Sequence, residues 1–129
     1  MYSEYRNDTL SESNSILNPY DGYLKGNVFK NIYNQYKNYV PVKLIPNSEQ
    51  EELLLNVNQL CFIMHELNLY LDVFPNDSKM IELFNKYEMM ANEATIKYEK
   101  NYGPLTINSV ISEPNNFTWE NTLWPWEVK

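Results

Sequence analysis

The stretch LLLNVNQLCFIMHELNLYLDVF, residues 53–74, decides how this chain folds. Leu53, Val57, Leu60, Met64, Leu67, Leu71 and Phe74 follow one another in steps of 4, 3, 4, 3, 4 and 3. At about 100° per residue these seven side chains line one narrow apolar stripe of a helix. Leu55, Phe62, Leu69 and Val73 form a second set on the roughly opposite side. Asn58, His65 and Asp72 occupy one polar edge between the stripes, and Gln59 and Glu66 the other. A helix resting on a surface needs a single stripe. Two stripes predict a helix sandwiched between layers, with the second layer supplied by the rest of the chain or by a partner.

Working outward, Ser48 with Glu51 three residues later is a capping box, and Glu49, Glu51 and Glu52 suit the positive end of a helix. The helix is expected over 49–74, ending before Pro75. Asn76, Asp77 or Ser78 then caps a second helix over 77–102, after a turn so short that the two must run antiparallel. Its stripe is Met80, Phe84, Tyr87, Ala91, Ala94 and Tyr98, widened on one flank by Leu83 and Met90. The two alanines permit close approach to the first helix. Lys97 and Lys100 suit the negative end, and Gly103-Pro104 terminates it.

Upstream, YDGYLKGNVFKNIYNQYKNYVP (20–41) carries turn punctuation at Asp21-Gly22 and Gly26. Asn27 is placed to cap a short amphipathic helix over 28–39, with Val28, Phe29, Ile32, Tyr33, Tyr36, Tyr39 and Val40 in one arc and Pro41 as its stop. So short a helix must dock on something. Residues 1–18 are polar and aperiodic and are expected to be a disordered arm. After Pro104, LTINSVISEPNNFTWENTLWPWEVK (105–129) shows neither helical period nor strand alternation beyond a possible extended piece at Thr106 to Ile111. The expected fold is therefore all-α: an antiparallel two-helix hairpin, a short N-terminal helix and an irregular aromatic tail. The chain divides into an arm (1–18), a short segment with its linker (19–47) and the hairpin with its tail (48–129), in one compact unit.

With 129 residues the chain has the length of one domain. A net charge of −7, with no basic cluster, argues against a nucleic-acid partner. The single cysteine, Cys61, excludes an intrachain disulfide and suits a reducing compartment. MYSEYRNDTL lacks the apolar core of a secretory signal, and the longest apolar run, Leu60 to Met64, is too short to span a bilayer. The expectation is a soluble protein that stays in the compartment where it is made.

Chemistry is sparse. Cys61 and His65 are four apart on one helix face, a spacing open to nucleophilic or metal chemistry with Glu66 or Asp72 nearby. Two potential ligands amid apolar residues are more simply structural, and His65 is the only histidine. No nucleotide-binding loop, zinc-protease motif or paired carboxylates occur. The expectation is a protein that is not an enzyme and needs no cofactor or metal. Met64, Met80 and Met90 read as core filler rather than as an adaptable surface, while Met89 faces away. Tyr20, Tyr23, Tyr33 and Tyr36 are open to oxidative cross-linking, although packing with the hydroxyls reaching water is the simpler explanation. Candidate protein-binding residues are the second stripe (Leu55, Phe62, Leu69, Val73) and Trp119, Trp124 and Trp126 of the tail, since tryptophans are frequent interface anchors.

HELNLYLDVFPND (65–77), FNKYE (84–88), KNYGPL (100–105) and WPWE (124–127) together resemble the CotJB family of spore coat proteins over roughly residues 50–129. PYDGYLKGNVFKNIYNQYKNYVP (19–41) resembles the smaller companion family CotJA, an unusual pairing within one chain. The resemblance implies a non-enzymatic component of the inner endospore coat, made in the mother-cell cytoplasm, that works as a homo- or hetero-oligomer with other coat proteins. It further implies a manganese-catalase-like partner, to which any peroxide chemistry belongs, because such a metal centre needs at least two histidines. The alternative is a generic helical adaptor, since a helix–turn–helix with Pro75 at its corner also resembles a single tetratricopeptide-like unit. No self-similarity at about 34 residues supports an array.

Overall fold

The computed structural model describes residues 16–30, 37–38 and 40–107. Three helices occur among them: α1 (Pro19–Lys25), α2 (Glu49–Val73) and α3 (Ser78–Tyr102). The described residues form no strand, only an isolated antiparallel bridge pairing Ile16 with Phe29. Both α1 and α3 pack on α2, which is the middle layer.

The hairpin forms where its local signals place it. Ser48 Oγ accepts from the Glu51 backbone N–H at 3.2 Å. The Glu51 carboxylate reaches one residue further than a capping box requires and accepts from Asn47 N–H at 2.6 Å. At the corner, the Phe74 N–H closes the last turn of α2 onto the Tyr70 carbonyl at 2.9 Å. Asp77 caps α3, one oxygen accepting from Met80 N–H at 3.4 Å and the other from the Tyr70 hydroxyl at 2.7 Å. One carboxylate therefore ties the end of α2 to the start of α3. Gly103, at φ 108°, stops α3 with a backbone conformation that L side chains rarely adopt.

The N-terminal segment differs from the expectation. A short helix is present, but it lies over 19–25, upstream of the expected 28–39. Asn18-Pro19 is the stronger start: Asn18 Oδ1 accepts from Asp21 N–H at 2.8 Å, its amide donates to the Asp21 carboxylate at 2.7 Å, and Pro19 occupies the first turn, where its missing N–H costs nothing. Asp21 and Gly22, read as turn residues, are inside this helix, and Gly26 (φ 79°) ends it. Asn27 does accept from Phe29 N–H at 2.9 Å, as a cap would, yet the chain turns back instead of continuing as helix. Leu17 N–H donates to the Val28 carbonyl at 2.8 Å, closing residues 16–29 into a clip. Residues 16–18, assigned to the arm, belong to this clip, while residues 1–15 lie outside the described residues. So do 31–36 and 39 of the expected helix, and residues 37–38 form a turn. Gly22 is buried, and a Cβ there would meet Val28 Cα at 3.4 Å, so helix and return segment pack at van der Waals distance.

The core lies in two seams along α2. Leu53, Val57, Leu60 and Leu67 share the α3-facing stripe of α2, and Met80, Tyr87, Ala91, Ala94 and Tyr98 the corresponding stripe of α3. Val28 and Phe29 extend this core on the clip side, where the Phe29 ring lies 5.5 Å from Tyr70. Ile63, fully buried, lies on α2 between the two seams. Met64, Leu71 and Phe74 of the expected stripe are half-buried, and the last two pack against this core.

Candidate docking surfaces

The structure divides the second stripe of α2. Leu55 and Phe62 are half-buried, and the Tyr23 ring meets Phe62 edge-on at 5.9 Å between centroids. Leu69 and Val73, further along the same side, are 50% and 54% exposed. The clip therefore covers part of the spare stripe, from 19–29 rather than from a helix over 28–39. Its docking draws in Ile63 and Tyr70, which belonged to neither stripe. Their separation of seven residues was the available signal, readable only as a flank until the clip is placed.

Cys61 and His65 stand in different surroundings. Cys61 is half-buried and packs against the core, and burial pushes its thiol pKa up, opposite to what a nucleophile requires. His65 and Asp72 are exposed and Glu66 is half-buried. Among the described residues no group of three His, Cys, Asp or Glu side chains is placed to hold a metal ion. No described helix is long and apolar enough to cross a membrane. Tyr20 donates its hydroxyl to the Leu44 carbonyl at 3.0 Å, pinning the linker to the clip, and both Tyr20 and Tyr23 are half-buried. Tyr33 and Tyr36 lie outside the described residues, as do Trp119, Trp124 and Trp126.

Two surfaces escaped the sequence reading. The linker holds Val40, Val42 and Ile45 exposed, the first two at 80% and 83%. The outer side of α3 exposes Ile81, Met89 and Ile96; of these only Met89 was expected to face away. One buried polar atom also stands out. Gln59 donates its amide to Asn56 Oδ1 at 3.0 Å, but its own Oε1 is buried without a hydrogen-bond donor. What these surfaces can do is bind other macromolecules through apolar contact.

Compared with known proteins, residues 51–127 match the family model described as CotJB protein. No curated protein and no solved structure matches. The match runs from the first turn of α2 through α3 and the tail past Trp126, leaving the clip outside it.

Proposed function

Because the chain belongs to the CotJB family and is thus a spore coat protein, we propose that it acts there without catalysis, as an assembly element that recruits or packs a manganese-catalase-like protein. The family match carries this reading, since it spans the hairpin and the tryptophan-bearing tail together. The sequence adds that one histidine is too few for a catalase centre, so the peroxide chemistry resides in the partner. Synthesis in the mother-cell cytoplasm and deposition in the inner coat layers complete the proposal. Leu69 and Val73, exposed on α2, and Trp119, Trp124 and Trp126 form the partner-facing residues; Leu55 and Phe62 contribute at the edge of the clip.

The test is co-purification of the full chain from sporulating cells, with partners identified by mass spectrometry, for the wild type and a Trp124→Ala/Trp126→Ala variant. A manganese-catalase-like protein should co-purify with the wild type and be lost from the variant, with helix content and melting nearly unchanged. A variant that melts much lower and still retains the partner would place the tail in the core and overturn the docking role. Peroxide turnover by the purified chain alone would overturn the division of labour.

A further inference from the structure

The clip takes its shape from bonds to itself. Asn18 and Pro19 start its helix, Gly26 ends it at φ 79°, and the Leu17 N–H closes onto the Val28 carbonyl at 2.8 Å. Lys25 Nζ donates to the Lys30 carbonyl at 2.9 Å across the same bend. Its hold on α2 is of another kind, through rings and apolar side chains. Tyr23 meets Phe62, Phe29 meets Tyr70, and Val28 is 0% exposed within the core. A short segment that fixes its own shape and lays a few apolar anchors on a helix is built as a docking peptide is, with its ordering cost already met.

The two sides of this contact also differ in standing. Phe62 and Tyr70 lie inside the CotJB match over residues 51–127, and the clip lies outside it. The hairpin common to the family thus carries the receiving flank, and this chain covers it from a segment of its own. We propose that the flank of α2 around Phe62 and Tyr70 is a peptide-docking site, which the clip fills as a tethered ligand and which takes the clip of a second copy in trans.

The connection permits this. Residues 31–48 span up to about 60 Å when extended. That exceeds the length of α2, about 37 Å at 1.5 Å per residue. The tether holds the clip at an effective concentration on the order of millimolar, so cis docking prevails in dilute solution. Exchange between copies sets in where chains are packed as densely as that, which a coat layer provides if the coat reading holds.

A specific protease site placed at Val42-Lys43, both exposed, lets the full chain be cut between clip and α2. The cut chain should keep its helix content by circular dichroism and release the clip on dilution. A fluorescent synthetic peptide of residues 16–30 should then bind in its place, read by anisotropy. The uncut chain should bind that peptide about tenfold more weakly or worse, because the tethered clip competes. Phe62→Ala should weaken peptide binding to the cut chain about tenfold, and Met89→Lys, on α3, should leave it unaltered. A clip that never leaves, helices that melt as it leaves, or a helical cut chain that binds no peptide would overturn the proposal. No other coat protein is present in this experiment, so its failure leaves the coat reading intact.

Discussion

α2 and α3 are both 25 residues long, yet they bury different amounts of themselves. α3 commits one stripe to α2 and turns a side bearing Ile81, Met89 and Ile96 to solvent. α2 commits one stripe to α3 and a second flank, with Tyr70, to the clip, and Ile63 is buried between them. The difference lies in chain order. The helix in the middle has neighbours connected to both its ends, and each brings an apolar face that must be covered. Burial is accordingly greater on α2, and Ile81, Met89 and Ile96 of α3 stay exposed.

The sharpest way to break this contrast is to truncate one isoleucine on each helix. Ile63→Ala removes a side chain that is 0% exposed and should cost about 2–5 kcal/mol in urea or thermal melts. Ile96→Ala removes one that is 67% exposed and should stay within about 0.5 kcal/mol. Equal costs would mean that the outer side of α3 is buried in solution.

A smaller effect tests the tie between the two helices. Tyr70 donates to the Asp77 carboxylate, and a hydrogen bond to a charged group contributes roughly 1.5–3 kcal/mol. Tyr70→Phe should lower stability at neutral pH by about that amount. Burial first, then the bond and charge of Asp77, hold the Tyr70 hydroxyl well above its ordinary pKa of 10.0. Burial likewise raises Tyr87 above 10.0 and Cys61 above 9.0. In each case the unfolded chain releases its proton first as pH rises, so the unfolded state binds fewer protons and stability falls. The stabilisation is complete below pH 9 and declines from there upward. Urea midpoints measured from pH 7 to 11 should drop beyond pH 9 in the wild type and less steeply in Tyr70→Phe. A flat profile would contradict the buried placement of these groups.

The smallest effect concerns Gln59, whose Oε1 is buried with no donor. Gln59→Met keeps the shape and removes the unmet acceptor, at the loss of one amide bond to Asn56. Replacing an unsatisfied buried polar group by an apolar one of similar shape should be neutral or stabilising by about 1 kcal/mol. A clear loss in the melting midpoint would mean that Oε1 has a partner in solution.

The hairpin was legible because its signals are local. Expected spans of 49–74 and 77–102 meet Glu49–Val73 and Ser78–Tyr102. Ser48, Asp77, Pro75 and Gly103 act within a turn of where they stand, and apolar periodicity needs no knowledge of the partner. The clip was not legible because its signals compete. Asn18 and Asn27 are both cap residues, and Pro19 gives the earlier site the advantage, while Val28 and Phe29 gain more by packing on α2 than by continuing a helix. The candidate surface was half legible. Leu55, Phe62, Leu69 and Val73 are indeed beyond the α3 seam, but nothing local tells Phe62, which Tyr23 meets, from Leu69, which stays exposed.

By itself, then, the sequence determined two long helices, their antiparallel pairing and the side of each that faces the other, because caps and a 3.6-residue period are properties of a few adjacent residues. It took the packed chain to settle that Ile63 and Tyr70 join the core, that the spare stripe is half-buried at Phe62 and exposed at Leu69 and Val73, and that Ile81, Met89 and Ile96 of α3 stay exposed. Those outcomes depend on where a distant segment comes to rest, and an apolar side chain reads the same in sequence whether its cover arrives or not.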